Sequence, residues 1–209
     1  MKKTQKVLVV LLCGALCAMI FSCASGGGGG GASAGGSAGE VVAGTWTWKG
    51  YAPEDKGDGD TSICRVVIAE EVIGGETVTT YSLSGTVTNA LQYGLAECDI
   101  IPDAETLELL RTCSAISFKI LGDGKRYNIE VPISAVKNWA FHVQSIATTE
   151  GQVEDISLPM RGFAQPSWNN DPVPFTRNLI EKIIFKTRNQ SEGGLGDFAV
   201  KIWDLKLHM

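Results

Sequence analysis

Between residues 116 and 131 apolar and polar side chains alternate through two consecutive runs, and this period of two dictates half-buried β-strands. Ile116, Phe118 and Ile120 alternate with Ser117 and Lys119, and Tyr127, Ile129 and Val131 alternate with Asn128 and Glu130. Gly122-Asp123-Gly124 lies between them, and Asp-Gly between alternating runs predicts a hairpin. The expectation is that both apolar sets face one core and both polar sets share the opposite face of one sheet. Further runs rich in Val, Ile, Thr, Phe, Tyr or Trp, bounded by Gly, Asn, Asp or Pro, predict strands at 62–69, 77–88, 139–148, 153–158, 180–188 and 198–207. Only 103–111 has helical character, with Asp103 as cap and Glu105 and Glu108 in the opening turn. Trp46 and Trp48 alternate where another strand begins and are expected to pack at the sandwich edge. Short strands at regular spacing, with no internal repeat, predict an all-β, two-sheet antiparallel sandwich with one short helix.

The N-terminus has a different logic. Lys2, Lys3 and Lys6 precede an apolar stretch from Val7 to Phe21, and Ser22 stands directly before Cys23. That is the layout of a secretory signal, and its apolar run is shorter than the ~20 residues a membrane span requires. A cysteine at the cleavage point resembles the bacterial lipobox, in the looser spirochaete form because of the bulky Phe21. Residues 1–22 are therefore expected to be cleaved and Cys23 to carry the lipid, so that the mature protein sits in the bacterial cell envelope, held to a membrane through its N-terminal lipid only. Residues 23–44 are nearly all Gly, Ala and Ser and are expected to act as a flexible tether, leaving 45–209 as one domain.

The first 22 residues hold three of the 18 basic side chains and none of the 23 acidic ones, so the mature chain carries a net charge of −8. That balance argues against nucleic acid as a partner. Cys64, Cys98 and Cys113 remain in the domain; outside the cytoplasm they are either buried small hydrophobes or one bridge plus a free thiol. Cysteine spacing for zinc is absent. With His142 and the penultimate His208 as the only histidines, with no G-x-S-x-G, and with no spacing that selects a carboxylate pair among Glu130, Asp155 and Asp171, no enzymatic activity is expected. The Asp/Gly run 55–60 lacks the sixth-position Gly and twelfth-position Glu of an EF-hand and reads as an exposed, turn-rich loop.

The run Ile116-Ser117-Phe118-Lys119-Ile120-Leu121-Gly122-Asp123-Gly124-Lys125-Arg126-Tyr127 resembles the signature of CIA30-like domains, a group similar to family 11 carbohydrate-binding modules among the galactose-binding-like jelly rolls. Three later blocks agree in order: Phe141-His142-Val143 followed by Asp155-Ile156-Ser157-Leu158-Pro159 and Phe163; 180–185; and the closing run from Phe198 to Leu207. The match covers roughly 113–207 and departs from the family pattern at Met160 and Trp203. The resemblance implies a jelly roll and a ligand face. It also implies a possible structural calcium, with Asp204 of the final strand as its carboxylate.

Sugar sites combine aromatic platforms with polar groups for hydroxyls. The alternation offers Lys119, Asn128, Glu130, His142, Gln144, Lys186 and Arg188 as a polar sheet face, or as an ordinary solvated one. Trp139 and Trp168 are the candidate platforms; Trp168, in a polar proline-rich loop, either plugs the loop into the core or stands exposed. The expected partner is an oligosaccharide. The alternative is a structural or adhesive lipoprotein that contacts an envelope or host protein through an apolar patch.

Overall fold

The computed structural model describes residues 39–191 and 194–209; the signal sequence, Cys23 and the tether up to residue 38 lie outside the described residues. In chain order the strands are β1 (Val41–Ala43), β2 (Trp46–Gly50), β3 (Ile63–Ile73), β4 (Glu76–Val87), β5 (Leu95–Pro102), β6 (Ala115–Leu121), β7 (Arg126–Val131), β8 (His142–Ala147), β9 (Val153–Pro159), β10 (Ile183–Arg188) and β11 (Gly196–His208). They form two antiparallel sheets. Sheet A runs β3-β4-β11-β6-β9, with β1 also paired to the end of β11, and sheet B runs β2-β5-β10-β7-β8. Two helices accompany them, α1 (Pro53–Lys56) and α2 (Ala104–Thr112), the second capped by Asp103, which accepts the Thr106 N–H at 2.8 Å. This is the expected all-β sandwich. None of the helices described is long and apolar enough to cross a membrane.

The turn at Gly122-Asp123-Gly124 corrects the hairpin expectation. β6 pairs with β11 and β9, whereas β7 pairs with β10 and β8, so the turn carries the chain from one sheet to the other. Alternation reports a half-buried strand and is silent about its neighbour. Local chemistry builds a corner instead: the Asp123 carboxylate accepts the Tyr127 hydroxyl at 2.7 Å, the Lys125 N–H at 3.2 Å and the Ala199 N–H of β11 at 3.0 Å. Gly122 is required there, since a Cβ would lie 2.5 Å from the Thr148 side chain. The two apolar sets consequently meet across the core, with Ile116, Phe118 and Ile120 from sheet A and Tyr127, Ile129 and Val131 from sheet B. Tyr127, 1% exposed, packs on Phe185 at a ring separation of 4.7 Å and on Phe198 at 6.4 Å.

Trp46 and Trp48 share the inner face of β2, and Trp48 stacks on Tyr81 with ring centroids 4.3 Å apart. Pairing of Val41–Ala43 with β11 starts the sheet inside the stretch whose composition reads as tether; two β-branched valines there find a strand to extend. Cys64, Cys98 and Cys113 are all free and buried, and burial pushes the Cys113 thiol up to about 11 and the Cys64 thiol to about 12.

The Asp/Gly loop departs from expectation at its last carboxylate. Asp60 is 2% exposed, and the Lys56 ammonium donates to Asp60 Oδ2 at 2.9 Å, to the Ser62 carbonyl at 2.8 Å and to the Leu95 carbonyl at 2.6 Å. Asp60 also accepts the Ser62 and Leu95 N–H groups. This clamp joins the loop to the starts of β3 and β5.

Candidate functional site

The outer face of sheet B is built by strand parity. Registers Ile184↔Glu130, Lys186↔Asn128 and Lys186↔Glu97 put Asn128 and Glu130 of β7, Ile184, Lys186 and Arg188 of β10, and Glu97 and Asp99 of β5 on the side away from the core. At its centre lies a charge cluster that is nearly closed to water. Lys186 Nζ is 2.7 Å from Glu130 Oε2 and 3.2 Å from Glu97 Oε2, and Arg188 Nη2 is 2.8 Å from Glu130 Oε1. Beside it, Asp99 pairs with Lys182 and accepts the Tyr51 hydroxyl at 2.6 Å. Burial, and then the Asp99 carboxylate, raise the Tyr51 phenol well above its ordinary range, so it acts as a donor at every accessible pH. Ser145 of β8 donates to Asn128 at 2.7 Å. Lys182, Lys186 and Arg188 balance Glu97, Asp99 and Glu130, so this row holds many donors and acceptors with no net charge. Such a surface suits a hydroxyl-rich neutral ligand better than an ion.

An aromatic shelf borders the row. The Phe141 ring lies 6.0 Å from Lys186 Nζ, and Trp139 meets Phe141 edge-on at 6.0 Å. Trp139 is 77% exposed and has φ of 61°. A non-glycine residue in the left-handed region stores ~1–3 kcal/mol of strain and persists only where its surroundings impose it. Here Asn138 imposes it, with its side chain accepting the Ala140 N–H at 3.2 Å and donating to Asn169 at 3.0 Å. Gln165 donates to the Ala140 carbonyl at 2.7 Å, and these bonds tie the Trp168 loop to the Trp139 turn. Trp168 is 56% exposed, so it stands out from the loop instead of plugging it into the core.

His142 and Gln144 do not join this face. The registers Val131↔His142 and Ile129↔Gln144 place them on the core side, because the phase of β8 sets Val143 and Ser145 outward. His142 is 3% exposed, packs on Phe175 and uses Nε2 against the Val173 carbonyl at 3.0 Å; Gln144 donates to the Pro159 carbonyl. Lys119 belongs to sheet A, where it faces Asp155 at 3.4 Å. Of the ligand candidates read from the sequence, the structure unites Asn128, Glu130, Lys186 and Arg188, with the Trp139 turn and the Trp168 loop tied together alongside. Glu97, Asp99, Tyr51, Lys182 and Phe141 are the members that the sequence did not reveal.

Burial lowers the His142 pKa, outweighing the carbonyl bond that raises it. A base whose folded pKa lies below its unfolded value stabilises the fold fully above about pH 6.5 and loses that contribution as pH falls through the folded pKa. Unfolding midpoints should therefore decline from pH 7 to pH 5, and His142→Phe should flatten that decline. A variant with the wild-type slope would show that another group carries it.

Asp204, the carboxylate that the resemblance offers to a calcium ion, is engaged by a lysine. It occupies the β11 bulge with φ of 59° and pairs with Lys206 at 2.6 Å. Among the described residues no group of three or more His, Cys, Asp or Glu side chains converges. Two shallow recesses of about 150 and 330 Å³ meet at Lys119 and Asp204 on the outer face of sheet A. The aromatic residues that line them, Phe118 in the smaller and Trp203 in the larger, are only 5% and 4% exposed, so the sheet B face is the stronger candidate.

A two-sheet antiparallel β-sandwich of this kind is a jelly roll. The chain belongs to the Complex I intermediate-associated protein 30 (CIA30) family, which it matches over residues 49–202. No curated protein matches it in sequence. Among solved structures it is similar to the family 11 carbohydrate-binding module of the cellulosomal cellulase Lic26A-Cel5E of Clostridium thermocellum, with a TM-score of 0.47, 14% identity, and 80% of this chain and 88% of that chain covered. A family 11 module of the same organism in complex with a β-1,3-1,4-mixed-linked tetrasaccharide gives 0.45, 18%, 77% and 95%. A family 30 carbohydrate-binding module gives 0.45, 14%, 68% and 73%.

Proposed function

We propose that this protein is a non-catalytic binding lipoprotein that holds an oligosaccharide on the outer face of sheet B, with Trp139 as its stacking platform. The observation that carries this reading is the strained and exposed Trp139 beside a charge-balanced polar row. A pyranose has apolar ring faces and a rim of hydroxyls. The indole takes the ring face, while Glu97, Asn128, Arg188 and Ser145 exchange hydrogen bonds with the rim. The burial of His142 against a carbonyl and Phe175 supports a role without chemistry. Anchoring through Cys23 and residence in the bacterial envelope complete the proposal, on the strength of the N-terminal signal alone.

Glycan-array screening of the protein, followed by titration of the best oligosaccharide, tests the reading. Trp139→Ala should weaken binding about tenfold or more, equivalent to ~1.4 kcal/mol for each factor of ten, with the unfolding midpoint unchanged or slightly raised as the strain is relieved. Absence of any glycan ligand at millimolar concentration, or unchanged affinity in the variant, would count against it. Acyl-chain labelling tests the anchor: Cys23→Ala should abolish lipid incorporation, and retained labelling would overturn the assignment.

A further inference from the structure

We propose that β3 is a self-pairing edge: it joins the β3 of a second copy, antiparallel about Ile68, and makes the protein a two-fold dimer. β3 ends sheet A, and among the described residues no strand pairs with its outer side. It is an eleven-residue strand with exposed apolar side chains on both faces, Val67 at 59%, Ile68 at 58% and Val72 at 72%. Val66, on the same side as Ile68 and Val72, packs on the core, so the strand runs on beyond the core it belongs to. Long apolar edges of this kind are normally shielded by charge, a bulge or a covering segment. The β3–β4 register is unbroken from Ile63↔Thr86 to Ile73↔Glu76, so no bulge interrupts this one.

The backbone fixes which groups are available. The Cys64 N–H leaves the ladder to bond the Tyr51 carbonyl at 2.8 Å, so the even-numbered residues of β3 point their N–H and C=O away from β4. Val66, Ile68 and Glu70 then present an open row. Two copies related by an axis through Ile68 pair Ile68 with Ile68, Val66 with Glu70 and Glu70 with Val66, all through outward-pointing groups. The Cys64 N–H is already taken by the Tyr51 carbonyl, so the pairing centres on the open stretch from Val66 to Glu70.

Charge selects this register. On the outer face it puts Val67 opposite Ala69 and Arg65 opposite Glu71. Arg65 is exposed and has no ion pair in its own chain among the described residues, while Glu71 already anchors Lys201 and lies where a second cation completes it. Shifting the axis to Val67 sets Arg65 against Ala69, and shifting it to Ala69 sets Val67 against Glu71; both lose the ion pair.

Because this axis is perpendicular to sheet A, both copies keep sheet B on the same side. The dimer therefore presents two outer faces of sheet B in one direction, an arrangement suited to a polymeric or surface-arrayed ligand. The pairing itself does not depend on what that face binds.

The test uses the full chain, extracted in detergent, with Ile68→Cys or Val67→Cys. Both positions are exposed, so the fold tolerates either change. Under copper-phenanthroline and oxygen, Ile68→Cys should give a disulfide-linked dimer, since directly opposed residues of a bonded pair lie within disulfide reach. Val67→Cys should not, its counterpart being offset by two residues. Arg65→Glu should weaken the uncrosslinked dimer about tenfold in sedimentation. Equal crosslinking at both positions, a wild-type chain that sediments as a monomer, or Ile68→Cys captured by a different protein would each overturn the proposal.

Discussion

Lys56→Met should destabilise the fold by about 3–5 kcal/mol, a drop in melting temperature of roughly 10 °C, because it strands a carboxylate without its cation in the interior. Asp60 is 2% exposed, and the Lys56 side chain is 8% exposed, so neither charge has water to fall back on. Three oxygens surround the ammonium, and two of them are carbonyls that link the loop to β3 and β5. Burial pushes the Asp60 carboxyl up, but the Leu95 and Ser62 amides and the Lys56 ammonium outweigh it and hold it at about 2. A carboxyl held below its unfolded value contributes stability above about pH 4 and loses it as pH falls through the folded pKa, here some 2 kcal/mol between pH 4 and pH 2. The variant should lose much of this acid dependence along with its stability at pH 7. In an Asp60→Asn background the same Lys56→Met change should cost much less, since the charge it strands is already gone. Urea midpoints of the four proteins at pH 7 and pH 3 measure both effects. A single variant within 1 kcal/mol of wild type, a margin comparable with an exposed ion pair, would mean that the clamp is a surface pair and not an internal one.

The sandwich was legible because its core strands alternate strongly; what failed was whatever depends on the neighbour of a strand. Ile116–Ile120 and Tyr127–Val131 announced two half-buried strands, yet the Asp-Gly turn between them crosses the core, and only Tyr127 and Ala199 bonding to Asp123 reveal why. β5 went unread although its pattern is regular. Its inner residues, Ala96, Cys98 and Ile100, are mostly small, and its outer ones, Glu97 and Asp99, have low strand propensity. Losing β5 hid half of the charged face. In and just before β8, Phe141, Val143 and Ile146 do not share a parity, so the sequence leaves the phase open, and the cross-strand register with Val131 decides it. His142 and Gln144 were lost from the site on that one-residue choice. Asn128, Glu130 and Arg188 survived because Tyr127, Ile129 and Phe185 leave their strands only one phase. The exposure of Trp139 and Trp168 is a tertiary outcome of side-chain bonds 25 and 31 residues apart in sequence, Gln165 to Ala140 and Asn138 to Asn169, which no local pattern encodes.

Glu130→Ala should separate what the charged cluster does for the fold from what it does for a ligand. Glu130 and Lys186 expose 3% and 5% of their side chains, and Glu130 also holds Arg188. Removing the carboxylate leaves Lys186 with Glu97 alone at 3.2 Å, and the expected loss is about 3 kcal/mol, the lower end for breaking a buried pair. Replacing both partners by similar-sized apolar groups, Glu130→Leu with Lys186→Met, should restore most of that stability, because buried pairs gain little net energy over well-packed hydrocarbon. It should not restore glycan binding. Arg188 would then have lost the carboxylate that aims its guanidinium, and the polar row would be interrupted at its centre. Glu130→Gln adds the finer distinction: it keeps an oxygen for Lys186 and should bind ligand measurably, but more weakly than wild type. Chemical denaturation and titration of a glycan identified on the array give the two readouts separately. A double variant that binds as well as wild type would move the ligand off this face, leaving the cluster a structural role only; a single variant of unchanged stability would show that the pair is not closed to water.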